Sequence, residues 1–186
     1  MATAAAGWAS RPLFGGAISC DIPSAWKDVS DIRQVPDHQE CWQEIDGSLL
    51  VVEILEKQEV GDAEASKFFF QDLAESNGST DVTFTAIPLT LSSPPRESRI
   101  CAGLGFQKIA MGRDVDIAGN RREQEIKWVR IDLVVFRLAS VETDLLVTVS
   151  TPIANPNEPS SEGPNLSEGA QRIANSLRVQ DWGLFG

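Results

Sequence analysis

The chain has 186 residues, 42% hydrophobic and 23% charged, and its 27 acidic side chains against 16 Lys/Arg give a formal net charge of −11. Such a length suits one domain able to bury about 70% of its unfolded surface. Because binding to nucleic acid or to an anionic membrane rests on lysines and arginines meeting phosphate, the charge argues against both as partners and favours a basic protein surface. The imbalance is concentrated: residues 1–64 hold 12 Asp/Glu and 4 Lys/Arg, the remainder 15 and 12.

Taken in chain order, residues 1–12 lack acids and also lack the apolar core of a secretory signal, and they read as a flexible tail before a single domain spanning 13–186. Leu13 to Ile22 alternates loosely and predicts a first strand, with Gly15-Gly16 marking a bulge or a close backbone approach. Ser24 to Gln34 reads as a turn and a short helical piece with Ser30 as its N-cap, and Pro36 pushes Val35 to extended geometry. Glu40 to Ile45 predicts a strand, Asp46-Gly47 a hairpin turn, and Ser48 to Leu55 a third strand. The unbroken apolar run Leu49 to Val52 is the pattern of a strand covered on both faces.

A helix is expected over 62–77, with Ala65, Phe68, Phe69 and Leu73 at helical spacing, and another over 166–178, with Leu166, Ala170, Ile173, Ala174 and Leu177 on one stripe. Asn165 and Glu168 have the spacing of a capping box for the second. Between the helices lie a strand at 82–91, with Pro88 marking an edge or a bulge, a loop at 92–95 and a strand at 99–110. A polar connection at 111–124, an antiparallel pair at 126–138 and 145–151, and a mobile stretch at 152–164 complete the chain. Six or seven mostly antiparallel strands with two helices make an α+β sandwich.

Signals for chemistry are few. His38 is the one histidine, lies in a polar run, and reads as a solvated loop residue. Gly103-Leu104-Gly105 lacks a third glycine and a following helix, so these are strand glycines rather than a dinucleotide loop. Asp114-Val115-Asp116 lacks the glycine and glutamate of an EF-hand, and is read as solvated loop acids. Asn77-Gly78-Ser79 and Asn165-Leu166-Ser167 are sequons that matter only in a secreted protein. Cys20, Cys41 and Cys101 match no metal, redox or disulfide spacing and read as small buried residues. The expectation is no catalytic centre, no cofactor and no metal.

What stands out is Lys27 to Glu56, where Asp28, Asp31, Asp37 and Glu40 are interleaved with Val29, Ile32, Val35 and Pro36, and Glu53 and Glu56 end an apolar strand. A solvated face is the simple explanation of an acidic cluster; the interleaved apolar residues and the rigid strand argue for a shaped binding surface instead. Here the chain resembles a known family. L-F-G-G-A (13–17), D-V-S-D-I-R-Q-V-P-D-H-Q-E (28–40), S-L-L-V-V-E-I-L-E (48–56), T-D-L-L-V-T (143–148) and G-P-N-L-S (163–167) occur in the order seen in the Ran guanine nucleotide release factors, the Mog-type nuclear transport regulators. The resemblance runs on to a family-like tail at Asp181 to Phe185.

The resemblance implies a PsbP-like fold and a non-enzymatic, monomeric regulator of nucleus and cytoplasm. That regulator binds the small GTPase Ran and promotes release of its guanine nucleotide in support of nuclear protein import. It also implies that Asp28, Asp31, Asp37, Glu40, Glu53 and Glu56 contact Ran. The family often has Asp or Glu where Glu53 stands, and Asn or Thr where His38 stands, so position 38 should be tolerant. A PsbP-like accessory subunit of a photosynthetic assembly is the rival that the fold alone permits.

Overall fold

In a computed structural model of the chain, which describes residues 7–79, 81–111, 125–156 and 164–186, the described residues form ten strands and two α-helices. In order they are β1 (Trp8–Leu13), β2 (Ile18–Pro23), β3 (Lys27–Asp28), β4 (Gln39–Gln43), β5 (Leu49–Glu56), α1 (Ala65–Ser76), β6 (Val82–Ile87), β7 (Ser98–Met111), β8 (Glu125–Leu138), β9 (Thr143–Ile153), α2 (Glu168–Ser176) and β10 (Arg178–Val179). Seven strands make one antiparallel sheet in the order β3-β4-β5-β9-β8-β7-β6, and β1-β2-β10 make a small second sheet. The α+β sandwich read from the sequence is therefore the architecture observed.

Strand alternation divides the core into two layers. Leu50 and Val52 on β5, Val134, Phe136 and Leu138 on β8 and Leu145, Val147 and Val149 on β9 point to one face, where Ile18, Cys20 and Ile22 of β2 and the α2 stripe cover them. Val129, Ile131, Leu133 and Val135 on β8, with Leu146 on β9, point to the other face, under Ala65, Phe69 and Phe70 of α1. The α2 stripe is buried as expected, from Leu166 through Leu177. On α1, Phe68 is 36% exposed and Phe70 is buried in its place.

Phe70 is seated by the two strand glycines. Its ring lies 5.0 Å from that of Phe84, and a Cβ on Gly103 would overlap the Phe84 ring, one on Gly105 the Phe70 ring. Close packing of helix on sheet needs a strand without side chains at those two points. The reading of 103–105 as strand glycines holds.

Several local expectations change. Residues 8–12, read as tail, are in β1, paired with β2 from Trp8 opposite Pro23 to Leu13 opposite Ile18. Ala9 opposite Ile22 and Arg11 opposite Cys20 give this short stretch a ladder that its composition does not advertise. Gly15-Gly16 is not a bulge. It closes that hairpin through a 3₁₀ turn over Phe14–Gly16, with φ of +50° at Phe14, +65° at Gly15 and +94° at Gly16. Ser30 does not cap; Asp28 accepts the Ser30 amide at 2.8 Å and starts a 3₁₀ turn over Val29–Asp31.

The second helix is capped by Ser167, whose Oγ accepts from the Ala170 amide at 3.1 Å, while the Asn165 carbonyl is taken by Arg130. The Asn165–Glu168 capping box does not form. β6 stops at Ile87, so Pro88 follows the edge strand rather than interrupting it. Asp114-Val115-Asp116, most of the 111–124 connection and residues 157–163 lie outside the described residues.

Two buried arginines lock the sheet to its connections. Arg137 on β8, about 1% exposed, donates to Asp144 at 3.0 Å and Asp62 at 3.0 Å, and to the carbonyls of Gln58 and Val60. Asp144, fully buried, also accepts the Gln58 amide at 2.9 Å, so one ion pair fixes the whole link from β5 to α1. Arg130 meets Asp132 at 3.0 Å and the Asn165 carbonyl at 2.6 Å, holding the approach to α2. Satisfying buried charge in this way is what makes it tolerable in a low-dielectric interior.

Candidate partner-binding site

The acid-rich stretch lies at the β3-β4-β5 edge of the large sheet. After β3, the Val29–Asp31 turn runs beside β4, and residues 32–38 lead back to the start of β4. Val29 is buried and pins the loop, while Asp31, Ile32, Arg33 and Asp37 are exposed, with Ile32 at 74%. The interleaving of acids with apolar residues thus produces an anchored loop: one apolar residue turns in, and the carboxylates and Ile32 turn out.

The sheet register distributes the other acids. Gln39 pairs with Glu53 across β4 and β5, and Glu40 with Val52, so Glu53 and Glu40 point to opposite faces. Glu53 is on the α1 side. Its Oε1 accepts from Gln39 Nε2 at 2.7 Å and lies 3.3 Å from His38 Nε2. The His38 ring, about half exposed, is therefore a neighbour of Glu53 and not only a solvated loop residue. The His38 carbonyl also accepts the Ile54 amide at 2.9 Å, which ties the end of the acidic loop to the end of β5.

Glu40 faces the small sheet. Its Oε1 accepts the Phe14 amide at 2.6 Å and so braces the positive-φ turn between β1 and β2. Burial pushes its carboxyl above the usual glutamate range and Asp28 adds to the rise, while the Phe14 hydrogen bond opposes it. Glu56, the last residue of β5, is exposed beside Glu142 and the C-terminal residues Leu184 and Phe185. Glu56 is three positions from Glu53 and so projects to the other side of the strand.

Of the six acids singled out, Asp28 and Glu40 lie on one face of the sheet edge and Glu53 on the other, all near enough to Cys41 for their charge to act on its thiol. The Cys41 thiol is raised by burial, with Arg33 opposing and Glu40, Glu53 and Asp28 reinforcing. Asp31 and Asp37 extend this group outward along the loop, and Glu56 stands apart at the strand end. Cys101 is likewise raised by burial, and Cys20 is pushed up to about 12, chiefly by burial, so these thiols are unreactive at neutral pH. Among the described residues no group of three or more His, Cys, Asp and Glu is arranged to hold a metal, and no helix is long and apolar enough to cross a membrane.

Sequence reasoning missed Gln39, which orients Glu53, and an apolar cleft beside it. α1 packs chiefly against β6, β7 and β8, with Leu146 of β9 beneath it, and covers the β4-β5 end of that face least. A cavity of about 270 Å³ opens there, with Leu49, Val51, Val129, Ile131, Leu73 and Ile109 as its apolar lining. The run Leu49 to Val52 is thus fully covered on one face and partly on the other: Leu50 and Val52 are fully buried, and Leu49 and Val51 are half-buried at the cleft, across from Leu73 of α1. Period-two alternation carried across the register would have found Gln39, since it is the only polar partner opposite Glu53.

The profile of the family described as Ran-interacting Mog1 protein matches residues 11–152. The chain belongs to the Mog1 family. It is 34% identical to the human Ran guanine nucleotide release factor, with 94% of this chain and 95% of that protein aligned. Against the zebrafish protein of the same name the identity is 32%, covering 95% and 100%. The Saccharomyces cerevisiae nuclear import protein MOG1 is 27% identical over 93% of this chain and 83% of its own. The crystal structure of the yeast Ran-binding protein Mog1p superposes with a TM-score of 0.71 at 22% identity, covering 98% of this chain and all of that one. A cyanobacterial PsbP shares the fold at a TM-score of 0.51 and 12% identity, covering 95% of this chain and 94% of that one. The PsbP-like fold implied by the sequence resemblance is therefore present, and the PsbP likeness extends to fold alone.

Proposed function

We propose that this chain binds the small GTPase Ran and promotes release of its bound guanine nucleotide, in support of nuclear protein import. The observation that carries the reading is the coincidence of the Mog1 family match over residues 11–152 with an anchored acidic loop at 28–40. Asp28, Asp31, Asp37 and Glu53 form the contact surface. Glu56 adds charge at its margin, and Glu40 contributes chiefly by bracing the turn at Phe14.

A release factor works only if it prefers the nucleotide-free GTPase to the loaded one, because differential affinity alone shifts the equilibrium. Carboxylates held on a rigid edge suit that preference. Presented to the cations that otherwise hold phosphate, they replace the charge that leaves with the nucleotide. The protein acts as a monomeric regulator rather than an enzyme, takes no cofactor, and works in nucleus and cytoplasm. The PsbP-like alternative of a photosynthetic accessory subunit has the shared fold behind it and no site.

The test is a pull-down against Ran in its GTP, GDP and nucleotide-free states. The expected order is nucleotide-free Ran bound most tightly, with binding lost in Asp37→Lys. Equal binding to all three states would remove the basis for release.

A further inference from the structure

We propose that the cleft between α1 and the β4-β5 edge is the apolar half of the same contact surface. It takes up one bulky apolar side chain of Ran that is flanked by a lysine or arginine pairing with Glu53. This inference rests on the reading of Ran as the partner and adds to it where on the surface the non-ionic contact is made.

Three observations carry it. Firstly, β5 reads as a strand covered on both faces, yet Leu49 and Val51 are only half-buried and open onto the cleft, above a floor of Val129 and Ile131 that is 3% and 1% exposed. The part of Leu49 and Val51 left open at the cleft is apolar surface that an inserted apolar group would cover. Secondly, the cavity of about 270 Å³ has room for one inserted side chain. Its mouth carries the polar groups Gln39, Gln43 and Asn77, the ring of neutral contacts that keeps water from an interfacial anchor.

Thirdly, Glu53 lines the cleft and is at the same time hydrogen-bonded to Gln39 at the end of the acidic loop. Apolar groove and acidic loop are therefore continuous, with Glu53 at the junction. The charge selects the occupant. Glu53 has the Gln39 amide and His38 beside it and, among the described residues, no arginine or lysine within ion-pair distance, so the incoming group brings the cation. A second copy of this chain, at a net charge of −11, would bring further repulsion instead.

The test is titration of nucleotide-free Ran with the wild-type chain and with Gln43→Trp and Ser150→Phe, which narrow the mouth of the cleft. Gln43 is exposed on β4, so its replacement strips nothing from the core and remains informative if Ser150→Phe fails to fold. Each folded variant is expected to bind at least about tenfold more weakly, the scale of a lost interfacial anchor, with an unchanged melting curve. Wild-type affinity in a folded Gln43→Trp, with Asp37→Lys still impaired, overturns this inference and leaves the acidic surface standing. No association of the wild-type chain with Ran overturns both. A self-dimer dispersed by Gln43→Trp also overturns it, by making a second copy the occupant.

Discussion

Asp144 and Glu53 lie on adjacent strands, Asp144 opposite Leu55 and Glu53 opposite Leu146, yet their surroundings differ completely. Asp144 is fully buried, meets the Arg137 guanidinium at 3.0 Å and accepts a backbone amide besides. Glu53 keeps about a quarter of its side chain exposed, and its neighbours are the amide of Gln39 and the ring of His38. The acids of the interior are neutralised by arginine because an unpaired charge there would unfold the sheet. At the β3-β4-β5 edge, Asp28, Glu40 and Glu53 are held instead by uncharged donors, the Ser30 and Phe14 amides and the Gln39 side chain. Glu40 stands between the two groups, half-buried and spent on the Phe14 turn.

That contrast is open to attack at both ends. Removing the interior cation should have the largest effect. Arg137→Met strands Asp144 and frees the carbonyls of Gln58 and Val60, and is expected to cost about 3–5 kcal/mol in denaturant unfolding. Next, Gly105→Ala forces a Cβ against the Phe70 ring and the Thr83 carbonyl and should cost about 1–3 kcal/mol, with Ran affinity unchanged per folded molecule. Glu53→Lys, in contrast, should leave the melting curve within a few tenths of a kcal/mol and weaken Ran binding tenfold or more. If Glu53→Lys unfolds the protein as Arg137→Met does, the two classes of carboxylate are one.

The smallest effect belongs to Glu40. Its carboxyl is held above the ordinary glutamate value of 4.5, so the folded state binds the proton more tightly than the unfolded chain does. Stability from this group is then greatest below the unfolded value and is lost as pH rises through the higher folded one. Glu40→Gln keeps an acceptor for the Phe14 amide without the charge. It should raise the melting temperature slightly at neutral pH and give no gain at pH below the ordinary glutamate range. A gain that persists in acid would contradict this assignment of cause.

The difference between the two regions also explains what was legible in the sequence. Long apolar runs made β8 and β9 readable, being buried without a break over 129–138 and 143–149, and helical spacing did the same for the α2 stripe. β1 was not, because residues 8–12 carry little pattern and are ordered by the ladder to β2. Ser30 and Asn165 have the residue types of caps, but Asp28 and Ser167, each two residues away, do the capping. The acidic residues themselves were visible in composition. Their sorting was visible only where spacing within one strand decides it, as for Glu56 against Glu53; that Glu40 turns inward and that Leu49 and Val51 face a cleft follow from register between strands.

The most direct measurement is the rate at which Ran loaded with a fluorescent guanine nucleotide releases it in the presence of excess chain. The wild-type protein should accelerate release, less so as salt is added. The Asp37→Lys/Glu53→Lys double variant should leave Ran at its intrinsic rate while melting like the wild type. Equal acceleration by wild type and double variant, or none by the wild type, would contradict the claim that this acidic edge drives nucleotide release.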